Sequence, residues 1–378
     1  MPRPVICFGE DWNRHPGAAQ DIMERLSATR KVLWIDSLGL RRPRLTLDDG
    51  KRVLSKIGKW LGGAKTASPT VMVYTPLVLP FYGSKVARAI NALILRVGIT
   101  RLLKKNGMAD PVLWVSCPAG AGVVGKLGEA KSIYYCADEH SVFPGMSLEV
   151  VTELEQELFK KADLVIVTSK NLYDKKKAYH DNITLIPHGV DFAHFSKAAR
   201  PETVVPDDLQ RIKKPIIGFY GLIQDLIDFD LVRHVAEARP GWSVVMIGPV
   251  IFDAGPLPSL PNLHFLGRRD LQDLPSYVKG FDVCMIPYKL VDRTIYANPL
   301  KLRQYLASGK PVVSTPLPEV MKYGGLVKIG KDRDEYVRHI EFLLERDTPE
   351  DSRTRMDAVR GESWECIMQQ IEPLVCRG

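Results

Sequence analysis

Two stretches of this chain place charged side chains where their spacing suits chemistry. The first is Asn298-Pro299-Leu300-Lys301-Leu302-Arg303-Gln304-Tyr305-Leu306-Ala307-Ser308-Gly309-Lys310-Pro311-Val312-Val313-Ser314-Thr315. Asn298 reads as a helix N-cap and Pro299 as the first helical residue, where its missing N–H costs nothing. Gly309 ends the helix, and the run from Pro311 to Thr315 reads as a buried strand. A helix start carries unpaired N–H groups and a partial positive charge, and Lys301 adds a full charge within the first turn. That combination suits a phosphate and the negative charge that gathers on it as it leaves. The second stretch is Ser132-Ile133-Tyr134-Tyr135-Cys136-Ala137-Asp138-Glu139-His140. Asp138 follows a strand at its carboxyl end. A carboxylate held partly away from water is suited to take a proton from a hydroxyl. His140 is the second candidate base, or a group that orients the acceptor. Glu10, Asp11 and His15 follow the first strand in the same way and are candidate contacts, although a polar loop there needs no function.

The elements that position these residues alternate strand and helix. Short apolar runs at 5–9, 31–36, 71–74, 112–116, 132–136, 164–168 and 183–186 are separated by helical stretches, the first near 18–29. This is the pattern of βαβ units around a buried parallel sheet. Residues 196–215, rich in charge and proline and without periodicity, read as a linker. A second block follows, with strands at 216–220, 243–247, 263–266, 283–286, 312–314 and 326–329. The fold class is α/β, with two doubly wound, Rossmann-like domains spanning 1–197 and 203–360. In such sheets ligands bind at the carboxyl ends of strands, so a cleft between the domains is the expected site. The segment 363–378 reads as an amphipathic helix with Trp364 as a packing anchor.

The second block resembles the nucleotide-binding half of the GT-B glycosyltransferases over roughly 150 residues. The matching pieces occur in order: Ile216-Ile217-Gly218-Phe219-Tyr220-Gly221, Leu263-His264-Phe265-Leu266-Gly267-Arg268, Leu274-Pro275-Ser276-Tyr277, Phe281-Asp282-Val283-Cys284-Met285-Ile286-Pro287-Tyr288 and the Pro299–Thr315 segment. Upstream, Ile186-Pro187-His188-Gly189-Val190-Asp191 is similar to the family's turn between domains. The resemblance implies an N-terminal acceptor domain, a C-terminal domain for the nucleotide sugar, and a last helix packing back on the first domain. It also implies donor contacts from Gly221, Arg268, Tyr288, Leu300, Lys301 and Gln304. Retaining family-four enzymes carry two glutamates where this chain has Tyr296 and Gln304. The sequence is closer there to the inverting glucuronosyltransferases of exopolysaccharide assembly, whose lysine and glutamine contact the nucleotide. Gln304 has an amide oxygen able to take a ribose hydroxyl.

No Asp-x-Asp motif lies in a convincing loop, so Lys301 and the helix start are expected to serve without a metal or other cofactor. The reaction expected is transfer of a sugar, UDP-linked by family resemblance, to a lipid-linked or growing saccharide in cell-surface polysaccharide synthesis. The alternatives are a nucleotide-sugar 2-epimerase and a non-catalytic module that binds the nucleotide sugar. No Gly-x-Gly-x-x-Gly follows either opening strand, which argues against a nicotinamide dehydrogenase.

At 378 residues, 45% hydrophobic and 25% charged, the chain is an ordinary globular one with room for two cores. Its six cysteines have no metal spacing, and four lie in or beside core strands, which reads as reduced and cytoplasmic. The net charge of +8 is unevenly placed: residues 1–107 hold 19 Lys and Arg against 7 Asp and Glu. Residues 51–61 and 85–105 are basic with apolar residues at helical spacing, and 85–105 contains six Lys or Arg and no acid. Two such helices suggest peripheral attachment to an anionic membrane, on the inner face of the cytoplasmic membrane. No nucleic-acid-binding module accompanies the charge.

Overall fold

A computed structural model describes residues 2–14, 17–40, 63–143, 145–251 and 257–376. The chain divides into two compact units, Met1–Pro187 with Met368–Gly378, and His188–Ile367.

The first unit is built on eight strands: β1 (Val5–Phe8), β2 (Val32–Ile35), β3 (Lys65–Ser68), β4 (Val71–Tyr74), β5 (Val112–Val115), β6 (Lys131–Cys136), β7 (Leu164–Val167) and β8 (Ile183–Leu185). Their order is β3-β4-β2-β1-β5-β6-β7-β8, parallel throughout except where β3 runs antiparallel to β4. Strands β1, β2, β5 and β7 are unbroken apolar tetrapeptides, buried along their whole length, as a sheet covered on both faces requires. β3 is absent from the sequence reading for a plain reason: Lys65-Thr66-Ala67-Ser68 is a mostly exposed edge strand with no apolar run to mark it. Strand order reverses between β1 and β5, which pair in register from Val5–Val112 to Phe8–Val115. The carboxyl ends of β1, β5 and β6 therefore lie side by side.

In the second unit β9 (Ile216–Tyr220), β10 (Ser243–Ile247), β11 (Leu263–Gly267), β12 (Val283–Ile286), β13 (Val312–Ser314) and β14 (Val327–Ile329) form a wholly parallel sheet, ordered β11-β10-β9-β12-β13-β14. Alternate residues feed two cores on opposite faces. Ile216, Tyr220, Val245, Ile247, Cys284 and Ile286 join one, with Leu302, Tyr305 and Leu306. Ile217, Phe219, Val244, Met246, Val283 and Met285 join the other. The reversal of order falls between β9 and β12.

Residues 196–215 are not a free linker. Short helices at Phe192–Phe195 and Asp207–Gln210 belong to the second unit, with Phe195 and Leu209 in its core. The His194 imidazole donates from Nε2 to the carbonyl of Leu271 at 2.8 Å. Asp208 takes a 2.7 Å bond from Arg269 and a bond from the Tyr277 hydroxyl. Charge and proline hid these few apolar anchors, and the second unit begins near His188 rather than at 203. The final helix, Trp364–Cys376, starts in the second unit and ends in the first. Trp364 is buried against Gly189, whose missing side chain leaves room for the indole. None of the described helices is long and apolar enough to cross a membrane.

Candidate functional site

The donor-side residues gather at the strand-order reversal of the second unit. The helix Leu300–Ala307 begins one residue later than its sequence suggests: Pro299 is the N-cap and offers no capping side chain. Asn298 is therefore not the cap. It is buried, and its Oδ1 accepts a 2.5 Å bond from Arg303 Nη1. Arg303 Nε also donates to Glu362 at 2.5 Å, and the Tyr323 hydroxyl donates to the same carboxylate at 2.6 Å. This cluster, with Asn298 and Arg303 buried at its centre, fixes the helix start. The first-turn N–H groups of Leu300 and Lys301 are left without side-chain capping, as a phosphate requires.

Lys301 rises from that turn against the end of β9. Its ammonium lies 5.4 Å from the Phe219 ring centre and 5.5 Å from that of Tyr288. These contacts are within cation–π range. No carboxylate pairs with it among the described residues. Gly221 makes this approach possible: a Cβ there would stand 2.1 Å from Lys301 Cε and 2.5 Å from Nζ. Its φ of +138° is itself a glycine conformation. Gly248, at the end of β10, lies so close that a Cβ would come within 1.8 Å of the Gly221 carbonyl oxygen. The strand ends thus meet as bare backbone around one lysine.

Tyr288 follows β12, and its carbonyl accepts a 2.7 Å bond from the Thr315 hydroxyl. Gln304 is half-buried, and its Oε1 accepts a 2.6 Å bond from the Tyr220 hydroxyl. One lone pair of that oxygen is thereby used; the second and the amide NH2 are left. The helix is further held by the backbone N–H of Tyr220, which donates to the Tyr305 hydroxyl at 3.1 Å. Arg268 is exposed just beyond β11, while its neighbour Arg269 is paired with Asp208. Leu300, Lys301, Gln304, Gly221 and Tyr288 are thus brought together at the ends of β9 and β12, with Arg268 two strands away. His188, in the turn that opens the unit, is buried. Burial, with the Arg303 charge adding to it, pushes its imidazole down to about 3.

In the first unit Asp138 stands where the sequence places it, half-buried beyond the end of β6. His140 lies over Phe143 with ring centres 5.9 Å apart, and its Nε2 is buried with no hydrogen-bond partner among the described residues. Burial lowers the His140 pKa more than Asp138, Glu155 and Glu139 raise it, so the ring is neutral near pH 7. Glu10 is exposed, and its carbonyl accepts from the Trp34 indole N–H at 2.9 Å. Asp11 pairs with Arg14 at 3.3 Å through one oxygen, while Oδ1 is buried without a partner among the described residues. The loop is fastened by Trp12, whose backbone N–H donates to buried Asp36 Oδ1 at 3.0 Å. His15 lies outside the described residues.

Several members of these sites escaped the sequence reading. Arg303 interrupts the apolar face of its helix, and a charge inside an apolar stripe was the available signal. Glu139, Glu155 and Lys176 form a buried ionic cluster beneath the Asp138 loop. Glu153 pairs with Arg88 and Glu157 with Lys161, as surface charges do. No cluster of three or more His, Cys, Asp or Glu side chains able to hold a metal occurs among the described residues.

The chain is similar to known proteins in both sequence and fold. Residues 215–346, all within the second unit, match the family described as "Glycosyl transferases group 1". A Bacillus subtilis (strain 168) protein, "Putative teichuronic acid biosynthesis glycosyltransferase TuaH", is 27% identical over 282 residues, covering 68% of this chain and 70% of its own. Sucrose-phosphate synthase from Thermosynechococcus elongatus superposes with a TM-score of 0.69 at 15% identity, over 98% of both chains. The Anabaena HepE protein, solved with UDP and glucose, superposes with a TM-score of 0.67 at 13% identity over 100% of both. The two parallel-sheet units, the group 1 domain and the relative together identify this chain as a glycosyltransferase of the GT-B fold.

Proposed function

We propose that this glycosyltransferase moves a sugar from UDP to a hydroxyl of a lipid-linked or growing saccharide, without a metal ion or other cofactor. The observation that carries the reading is Lys301, an ammonium free of carboxylates among the described residues, seated between Phe219 and Tyr288 over Gly221 at an uncapped helix start. The acceptor oxygen attacks the anomeric carbon while the bond from that carbon to the diphosphate oxygen breaks. The hydroxyl proton passes to Asp138, with neutral His140 orienting the acceptor, and the electron pair leaves on the diphosphate. Lys301 and the N–H groups of Leu300 and Lys301 stabilise that charge. Arg268 and Tyr288 border the nucleoside, and Gln304 takes a ribose hydroxyl through its remaining lone pair. Glu10 and Asp11 border the acceptor. UDP as the carrier is supported by the UDP bound in the Anabaena protein, and a polysaccharide acceptor by the name of the Bacillus relative. No observation favours the 2-epimerase or the non-catalytic module.

Peripheral binding to an anionic bilayer is part of this reading. The helix Lys85–Lys105 buries Ala87, Asn91, Leu95, Ile99 and Leu103 on one side. On the opposite side it exposes Val86, Ile90, Leu93 and Val97, with Leu93 56% exposed. Six basic residues and no acid accompany these two apolar faces. Each basic residue near an anionic surface contributes about 1 kcal/mol. The other expected contact, residues 51–61, lies outside the described residues.

The test is release of UDP from a panel of UDP-sugars in EDTA, with vesicles bearing lipid-linked saccharide, by the natural protein and by Asp138→Asn. Turnover with one donor, lost in Asp138→Asn while UDP affinity is kept, is expected. Full turnover by Asp138→Asn refutes the base assignment. Cosedimentation with anionic but not zwitterionic vesicles, weakened by Leu93→Glu, is expected for the membrane contact; equal binding to both kinds of vesicle contradicts it.

A further inference from the structure

A buried ionic cluster adjoins Asp138 through its neighbour Glu139. Lys176 ends the helix Lys170–Lys176, and its side chain is 3% exposed. Its ammonium lies 2.9 Å from Glu139 Oε2 and 2.6 Å from Glu155 Oε2. Glu155, on the helix Leu148–Lys161, accepts a 2.8 Å bond at its other oxygen from the Tyr134 hydroxyl of β6. Glu139 accepts a 2.5 Å bond from the Ser141 hydroxyl and lies 3.0 Å from the half-exposed Lys175. Burial would raise the Glu139 carboxyl, but Ser141 and the two lysines outweigh it and hold the group at about 2. Glu139 is thus an anchored anion, and it is the residue between Asp138 and His140.

We propose that Lys176 is a positioning residue: by clamping Glu139 to Glu155 it fixes the loop that presents Asp138 and His140 to the acceptor hydroxyl. The inference rests on the reading of Asp138 as the base. Two helices meet at this one ammonium, which holds the single residue between the two candidates, and β6 joins them through the Tyr134 hydroxyl on Glu155. A buried ion pair is weak support for stability, since apolar side chains of similar volume hold a core at least as well. What the pair adds here is direction, because turning Glu139 would break the Ser141 bond at one oxygen and the ion pairs with Lys175 and Lys176 at the other. The charged and titratable groups facing the loop include Glu139, Glu155, Lys175, Lys176, His140, the Tyr134 and Tyr135 hydroxyls and the Cys136 thiol, and burial raises the last three far above their usual range. Removing Lys176 leaves two carboxylates beside Asp138 with only Lys175 to balance them.

The experiment compares Lys176→Met, Lys176→Arg and Asp138→Asn with the natural protein, in transfer and in UDP affinity. A displacement of about 1 Å at a reacting group costs on the order of 100-fold. Lys176→Met is therefore expected to lose about 100-fold in kcat with UDP affinity unchanged. The acid limb of its pH profile should move to higher pH, and Lys176→Arg should recover part of the loss. A folded Lys176→Met protein with kcat and pH profile within about twofold of the natural protein, beside an inactive Asp138→Asn, overturns the positioning role and leaves the base assignment standing. An active Asp138→Asn overturns the base assignment, and the positioning role with it. If Lys176→Met does not fold, Glu155→Gln keeps the side-chain volume and the Tyr134 bond while weakening the clamp. Its expected loss is about tenfold in kcat, and an unchanged profile counts against the proposal in the same way.

Discussion

Adding one methyl group at Gly221 should disable a lysine 80 positions away in the sequence. The Cβ of Gly221→Ala would stand 2.1 Å from Lys301 Cε and 2.5 Å from Nζ, less than any carbon contact tolerates. Lys301 is the flexible partner and swings away from its place between Phe219 and Tyr288. A hydrogen bond to a charged group contributes about 1.5–3 kcal/mol, so Lys301→Ala should weaken UDP binding about 10- to 150-fold. Gly221→Ala should lose a similar amount. It also carries a stability cost of about 1–3 kcal/mol, because alanine resists a φ of +138°. The two changes act on one contact, so the double variant should bind UDP about as weakly as Lys301→Ala alone. Calorimetric titration of the four proteins with UDP, alongside urea unfolding, closes the cycle. Losses that multiply in the double variant would refute the shared contact, and so would Lys301→Ala binding UDP within about twofold of the natural protein.

Two further predictions concern the supports of the site. His188 is held at about 3 in the folded state against 6.5 unfolded, so the unfolded chain binds more protons between those values. Stability is complete above pH 6.5 and falls as pH drops toward 3; moving from pH 7 to 5 should cost about 2 kcal/mol from this group, and urea titrations of His188→Gln should show a flatter slope. Arg303→Met leaves buried Asn298 and part-exposed Glu362 without their shared donor, and losing these bonds should cost about 1–3 kcal/mol in the same assay.

Much of the fold was legible because both sheets, β3 apart, are parallel and buried on both faces. That burial demands apolar runs such as Val5-Ile6-Cys7-Phe8 and Val112-Leu113-Trp114-Val115, which stand out in the sequence. β3 was not legible, since an exposed edge strand needs no apolar residues. The segment 196–215 misled because the second unit holds it by a few contacts, chiefly Leu209 and Asp208, within a polar composition. The helix Lys85–Lys105 showed its charge in the sequence but not its two apolar faces, because hydrophobic residues on opposite sides cancel as a pattern. Lys301 and Asp138, the residues expected at the site, were visible through the helix that begins beside one and the strand that ends before the other. Asn298 was misassigned because a cap and a buried acceptor look alike in sequence, and only Arg303 in place tells them apart. The Glu139–Glu155–Lys176 cluster joins residues from separate elements, and no local spacing announces such a meeting.

Lys301 is the cation proposed to meet the diphosphate. Its most direct test is titration of the natural protein with UDP, UMP and uridine in EDTA. The expected result is saturable UDP binding, with UMP and uridine progressively weaker as the phosphates that meet Lys301 and the helix start are removed. Equal affinity for UDP and uridine, or UDP binding that appears only when a divalent metal is added, would contradict it.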